Sequence, residues 1–246
     1  MKQTELIMGM PITIEIIDKN SKKYFKEIFD HFKAVDKRYS TYKKNSEISK
    51  INRGLRESQW SSEMKSVLKL CDQTKEDTKG YFNIAHNGEI DPSGLVKGWA
   101  IYNASLKLIK HKIKDFYIEA GGDIQVHGKD EDGGPWKVGI RNPFNISEII
   151  KTLSLSSEGV ATSGTYIRGQ HIYDPFNPKL NLKSVKSLTV VADNIYEADR
   201  YATAAFAMGK KGIEFIESKP GLEGYMVDQD KIATYTSGFL RYVVNA

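Results

Sequence analysis

Asn194-Ile-Tyr-Glu-Ala-Asp-Arg-Tyr-Ala-Thr-Ala-Ala-Phe-Ala-Met-Gly209 reads as one helix with both ends marked. Asn194 is a good N-cap, and Glu197 stands three residues on, where a capping-box carboxylate belongs. Gly209 is placed to end the helix. Inside it, Asp199 and Thr203 are four apart, so their oxygens share one face near the N-terminal end. A carboxylate and a hydroxyl one turn apart suit a hard cation such as Mg²⁺, which takes oxygen ligands and keeps several waters. Taken alone, the same residues also read as ordinary helix-dipole chemistry and packing.

Strands flank this helix on both sides. Upstream, period-two patterning and turn residues place them at 115–119, 123–127, 136–141, 150–155, 159–162, 170–173 and 186–192. Downstream, after a short helix near 210–217, they fall at 223–227, 231–236 and 239–244. Gly121-Gly122 and Asp132-Gly133-Gly134 are short connections that favour hairpins and antiparallel pairing. The earlier part of the chain is mostly helical. A strand carrying Ile12, Ile14 and Ile16 leads into a helix from about Ser21, whose apolar face is Phe25, Ile28, Phe29, Phe32 and Val35. A polar loop from Ser40 to Ile48 follows. A second helix covers 61–78 and ends near Gly80. A third covers 95–112, with Trp99, Tyr102, Leu106 and Ile109 expected inward. Helices early and strands late predict an α+β fold, a mostly antiparallel sheet with packed helices. There is no internal repeat, low-complexity tract or clear linker, so one domain over 1–246 is expected.

Composition narrows the function classes. The 246 residues are 40% hydrophobic and 27% charged, which suits a globular protein with a substantial core. The net charge of +5 permits attraction to anions, but both signs are interspersed, and nucleic acid is not the expected partner. No apolar run approaches the ~20 residues that span a bilayer. The N-terminus lacks a secretory pattern or a lipoprotein cysteine; read with Met1 as its start, the chain is expected in the cytoplasm. The single cysteine, Cys71, shares an apolar helix face with Met64, Val67 and Leu68 and reads as a buried structural thiol.

Four further segments offer chemistry. Asp91-Pro-Ser-Gly-Leu-Val-Lys-Gly98 opens a helix after a turn; backbone N–H groups there favour phosphate and Lys97 adds positive charge, though a plain turn with a surface lysine fits equally well. Glu119-Ala-Gly-Gly-Asp123 is either a tight turn or a place where a ring or phosphate meets bare backbone. It lacks the spacing of a dinucleotide fingerprint. In Gly159-Val-Ala-Thr-Ser-Gly-Thr-Tyr166, three hydroxyls surround Gly164 and suit phosphate or ribose, or simply end a strand. His171-Ile-Tyr-Asp-Pro175 follows closely enough for a general-base role. His31, His86, His111 and His127 have no metal-ligand spacing and read as structural or surface residues.

In this order, these segments resemble the FAD:protein FMN transferase family, also called the ApbE or flavin transferase family. The likeness runs from Met8-Gly-Met to the C-terminus. It is carried also by Ser40-Thr-Tyr with Ser46-Glu-Ile, by Pro135-Trp-Lys-Val-Gly-Ile-Arg-Asn-Pro143, and by Ala198-Asp-Arg-Tyr-Ala-Thr203. The resemblance implies an enzyme that cuts the pyrophosphate of FAD, passes FMN to a Thr or Ser hydroxyl of an acceptor flavoprotein, and releases AMP. It implies Mg²⁺ held by Asp199, Thr203 and the Gly94 carbonyl, and a catalytic His171. It implies FAD contacts from Met8, Ser40, Tyr42, Glu47, Lys97, Glu119, Gly121, Gly122, Asp123, Thr162, Ser163, Gly164 and Thr165. An FAD pyrophosphatase using water as acceptor, or a flavin-binding module without turnover, would use the same residues. Family members often carry a secretion signal and an anchor cysteine, which this chain lacks. The stretch between Tyr81-Phe-Asn and Asp91 is also short for the family, which implies a more open pocket or weaker FAD binding.

Overall fold

The computed structural model describes residues 1–18, 21–86, 88–164, 172–177 and 184–244. In chain order its elements are β1 (Lys2–Ile7), β2 (Met10–Ile16), α1 (Lys22–Tyr39), α2 (Glu47–Asn52) and α3 (Ser62–Asp77). Then come β3 (Ala85–His86), β4 (Glu89–Ile90), α4 (Ser93–Lys110), β5 (Phe116–Ala120), β6 (Asp123–His127), β7 (Trp136–Asn142) and β8 (Asn145–Leu155). The remainder is β9 (Gly159–Gly164), β10 (Val185–Ala192), α5 (Ile195–Ala207), α6 (Gly212–Glu217), β11 (Glu223–Asp228) and β12 (Ala233–Tyr235).

Alternation of side chains builds the main sheet, whose order is β1-β2-β5-β6-β9-β10-β11-β12. Every neighbouring pair in it is antiparallel, so the expected α+β class holds. Because successive residues face opposite ways, the sheet divides the core in two. Ile12, Ile14, Phe116, Ile118, Ala161, Leu188 and Val190 point to the helical layer. Ile124, Val126, Val160, Val191, Tyr225 and Val227 point to the other face, where the β7–β8 hairpin and Phe239 cover them. The helical layer is anchored by α1, whose Phe25, Phe29 and Phe32 are at most 1% exposed. Each such side chain contributes roughly 1.5–3 kcal/mol of burial.

Several expectations need correction. β1 is an edge strand of mostly polar residues, Lys2-Gln-Thr-Glu-Leu-Ile7, and so carries no apolar alternation to read. The expected loop at 40–48 ends in α2, with Ser46 Oγ accepting the Ser49 N–H at 3.1 Å. The turn at 132–134 does not close a hairpin: it carries the chain from the main sheet into the separate β7–β8 sheet. Residues Phe239–Tyr242 form a 3₁₀ turn, not a strand, because Phe239 plugs the second core and β12 already covers that edge. The expected strand at 170–173 lies partly outside the described residues, and Ile172 and Tyr173 are not in a strand. In α4, Leu106 and Ile109 are exposed, while Leu95, Gly98, Ile101, Ala104, Ser105 and Leu108 are buried. The inward face mixes large residues with Gly98, and it is at Gly94 and Gly98 that α4 admits α5 at close range.

Candidate functional site

The site is set by how closely α4 and α5 cross. A Cβ on Gly98 would lie 2.6 Å from Asp199 Cβ and 2.7 Å from the Ile195 carbonyl oxygen. One turn back, a Cβ on Gly94 would lie 3.2 Å from Thr203 Cγ2. The i, i+4 pair Gly94/Gly98 thus faces the i, i+4 pair Thr203/Asp199. α5 is held for this from its N-terminus. Asn194 Oδ1 accepts the Glu197 N–H at 3.0 Å, and the buried Gln125 accepts the Ile195 N–H at 2.8 Å. Glu197 does not reach back as a capping-box carboxylate among the described contacts. It binds Arg200, which also reaches Asp77 on α3. Gly209, at φ +62°, ends the helix as expected.

Three charges meet at this crossing. Lys97 Nζ lies 2.5 Å from Asp123 Oδ2 and 3.8 Å from Asp199 Oδ1. Asp123 Oδ1 accepts the Thr162 N–H at 3.2 Å, and Asp199 Oδ2 accepts the Gly98 N–H at 2.7 Å. Both carboxylates are buried, at 1% and 3% exposure. Burial pushes the Asp199 carboxyl up to about 7; Lys97 pulls against that rise and Asp123 adds to it. Two carboxylates and one ammonium leave the cluster short of positive charge.

That shortage, with the donors nearby, is what a hard cation needs. Thr203 Oγ1 donates to the Gly94 carbonyl at 3.3 Å, so a hydroxyl, a carbonyl and the Asp199 carboxylate converge. All are oxygen donors of the kind Mg²⁺ takes. Among the described residues no group of three or more His, Cys, Asp or Glu side chains is placed to hold a metal. A cation at this point would therefore depend on the hydroxyl, the carbonyl and outside ligands to complete its shell.

Above the cluster opens a cavity of about 290 Å³. Its polar end is Ser93, Gly94, Lys97, Thr162, Ser163, Gly164, Asp199 and Thr203. The rest of its lining is rich in aromatic and apolar residues, Tyr81, Phe82, Ile84, His86, Ile172, Tyr173 and Pro175, with the polar Asn83, Glu89 and Asp91 among them. A second cavity, of about 420 Å³, shares Gly121 and Thr162 with the first and is bordered by Glu119, Gly122, Lys137 and Arg141.

The candidate residues divide accordingly. Gly94, Lys97, Gly121, Thr162, Ser163, Gly164, Asp199 and Thr203 line the first cavity, and Glu119 and Gly122 line the second. Asp123 supports them from beneath through Lys97. The Thr162 hydroxyl is shared with Thr189 at 2.9 Å. Met8, Ser40, Tyr42 and Glu47 border neither cavity. Tyr42 is 97% exposed, and the Glu47 carboxylate accepts from Ser61 N at 2.6 Å and Ser61 Oγ at 2.8 Å. His171 and Thr165 lie outside the described residues. The sequence carries no mark of the aromatic lining; His86, expected to be structural or at the surface, is exposed and borders the first cavity.

The fold and site define an α+β protein with a cation- and phosphate-suited cavity over a Lys–Asp–Asp cluster. The chain belongs to the ApbE family, whose model matches residues 8–88 and 85–226. It is 31% identical over 134 residues to a FAD:protein FMN transferase of Vibrio cholerae, covering 50% of this chain and 39% of that protein. It is 26% identical over 148 residues to the Haemophilus influenzae protein of the same name, covering 56% and 43%. The matched stretch therefore spans about two fifths of the length of these relatives. A crystal structure of the ApbE protein from Thermotoga maritima superposes with a TM-score of 0.87 at 22% identity, covering 100% of this chain and 99% of that one. The flavin transferase ApbE of Vibrio cholerae gives 0.86 at 22% identity, covering 98% of each chain. No helix among the described residues is long and apolar enough to cross a membrane.

Proposed function

We propose that this chain is a Mg²⁺-dependent flavin transferase that takes FAD and an acceptor protein as substrates. The observation that carries the reading is the α4–α5 crossing, which gathers Lys97, Asp199, Thr203 and the Gly94 carbonyl at one end of a cavity with an aromatic wall. That arrangement supports a substrate with a charged middle and a flat ring. A Thr or Ser hydroxyl of the acceptor attacks the FMN phosphorus. A new P–O bond forms, the pyrophosphate P–O bond breaks, AMP leaves, and the hydroxyl proton is lost to a base. His171 is our proposed base.

Phosphoryl transfer depends on placement and charge neutralisation more than on covalent help. Lys97 provides fixed positive charge beside the phosphates, and the buried Asp123 keeps its ammonium aimed into the cavity. Asp199, Thr203 and Gly94 would hold Mg²⁺, which supplies charge neutralisation for the pyrophosphate when bound. The Thr162–Gly164 strand end offers backbone against the same phosphates. The names of the relatives support the reading, as does the fit of the donor set.

The test is incubation with FAD, Mg²⁺ and a candidate acceptor domain, followed by intact mass of the acceptor and quantification of AMP. The expected result is an acceptor heavier by FMN less water, with one AMP released per modification. AMP release with an unmodified acceptor would favour a pyrophosphatase. Binding of FAD without AMP would favour a non-catalytic module.

A further inference from the structure

We propose that the acceptor protein docks on the second cavity and the outward face of the β7–β8 hairpin beside it, presenting a segment with carboxylates near the hydroxyl to be modified. This surface presupposes the flavin-transfer reading above and adds to it the place where the acceptor is received. The cavity, of about 420 Å³, lies on the hairpin side of the main sheet, between Tyr117, Glu119 and Ile124 and the strand β7.

The two cavities meet where the main sheet lacks a ladder. β6 pairs with β9 at Ile124–Val160 and Gln125–Gly159, yet β9 continues to Gly164, past the β5–β6 turn. In that stretch a side chain stands in for a strand: Asp123 Oδ1 accepts the Thr162 N–H at 3.2 Å. Gly121 and Thr162 border both cavities, and a Cβ on Gly122 would meet nothing within 4 Å. The rim between the cavities is therefore low. In-line displacement puts the attacking and leaving oxygens on opposite sides of phosphorus. A hydroxyl crossing this rim would approach phosphates held near Lys97, while the first cavity keeps the nucleotide.

The charges favour an acidic partner. Lys137 and Arg141 stand two residues to either side of Gly139 on the outward face of β7. Lys137 Nζ donates to Ser154 Oγ at 3.2 Å, and Arg141 Nη1 donates to the Ile146 carbonyl at 3.1 Å. Both acceptors are neutral, and among the described residues neither cation is in an ion pair. The carboxylate in this lining, Glu119, accepts the Tyr117 hydroxyl at 3.0 Å. Two cations against one carboxylate leave the lining net positive.

A small anion would also satisfy two cations. What favours a protein is the apolar arm that continues from the cavity. Ile149 lines the cavity, and Ile146 and Phe144 follow toward the hairpin tip; all three are between 41% and 54% exposed. Lys231 Nζ, 5.6 Å from the centre of the Phe144 ring, adds a cation at that tip. Large apolar side chains exposed together beside a cavity mark protein contact. Cations along such a rim steer and orient the partner more than they tighten it.

The test uses two fluorescein-labelled peptides of equal length, each with one threonine among alanines and leucines. One has aspartates flanking the threonine and the other has lysines. Anisotropy in the presence of FAD and Mg²⁺ should show the acidic peptide bound more tightly by wild type. Lys137→Glu and Arg141→Glu should each weaken its binding by roughly 2- to 30-fold, as an exposed attraction becomes a repulsion. The double variant should lose more, and added salt should shrink the loss. FAD affinity, read from flavin fluorescence, should match wild type in all variants. Equal affinity for the two peptides, or an acidic peptide that binds variants and wild type alike, would overturn the docking surface. Lower FAD or AMP affinity in the variants with peptide binding unchanged would assign the cations to the nucleotide and overturn it too. A wild type that binds the acidic peptide, with the expected losses in the variants, but binds no FAD would overturn the flavin reading and leave the acidic-peptide surface standing.

Discussion

Gly98→Ala is the sharpest probe of the α4–α5 crossing. In an open helix interior the change gains about 1 kcal/mol from propensity. Here the new Cβ would stand 2.6 Å from Asp199 Cβ and 2.7 Å from the Ile195 carbonyl oxygen. One of those atoms is backbone and the other is fixed to it, so neither yields by a rotamer change. The helices must separate, at an overpacking cost of about 1–3 kcal/mol, taken near its upper end. Separation also lengthens the 2.7 Å bond from the Gly98 N–H to the buried Asp199 carboxylate, and weakening such a bond costs roughly 1 kcal/mol more. The net loss is about 3 kcal/mol, or about 6–12 °C in Tm for a chain of this length. Thermal melts followed by circular dichroism would measure it. Gly94→Ala is the matched comparison, because its nearest contact is a side-chain methyl at 3.2 Å. It should lose far less stability while displacing Thr203, and so weaken the response to Mg²⁺. Gly134→Ala, with nothing closer than 3.7 Å, should melt near wild type. A Gly98→Ala protein melting at or above the wild-type temperature would refute the crossing as drawn.

Three other outcomes are expected. Asp199→Asn should abolish Mg²⁺-dependent turnover and the Mg²⁺-dependent rise in Tm, yet raise the Tm of metal-free protein, because burial and Asp123 already disfavour a charge there; turnover and melts with and without Mg²⁺ decide it. Lys97→Met should cost about 3–5 kcal/mol by leaving Asp123 and Asp199 buried without their cation, and adding Asp123→Asn should recover part of that, as read from urea denaturation. Two buried groups set opposing pH dependences: Asp199, raised to about 7, contributes stability that is lost as pH rises through that value, and His31 contributes stability that is lost as pH falls. Burial lowers the His31 pKa from 6.5 although its Nε2–H is bonded to the Ala100 carbonyl at 3.0 Å. The unfolded chain therefore takes up the proton first, and stability falls as pH drops through about 6.5. His31→Gln should flatten that acid slope in melts between pH 5 and pH 8, and an unchanged slope would remove His31 from the account.

Which parts of this molecule could be read from its sequence follows from how each is built. α1 was legible because its buried stripe is made of large residues, Phe25 through Val35, at helical spacing. α4 was legible only in part: Trp99 and Tyr102 pack against the core as expected, but Leu106 and Ile109 are exposed, and the glycines Gly94 and Gly98 that meet α5 carry no bulk to mark that face. A count that weights bulk points the wrong way wherever two helices need to touch backbone to backbone. β1 was missed because an exposed edge strand gains little from apolar side chains.

The same reasoning separates the two halves of the cavity. Asp199 with Thr203, and Gly94 with Gly98, are local i, i+4 pairs, so each was visible within a single turn of helix. Their meeting across about a hundred residues was implied by the family resemblance alone, and the close approach at Gly98 is what brings it about. The aromatic wall had no such local mark. His86 stands on a two-residue strand and Tyr173 in irregular chain, and what joins them is a ring contact and two hydrogen bonds to backbone carbonyls. Backbone carbonyls are present in every sequence and identify nothing. The charged part of the cavity is thus written in residue identities, and its aromatic lining in the path of the backbone. Substitutions at Asp199 or Lys97 should therefore act on chemistry and charge. Insertions or deletions within the stretch from Tyr81 to Asp91 should act on which nucleotide is held.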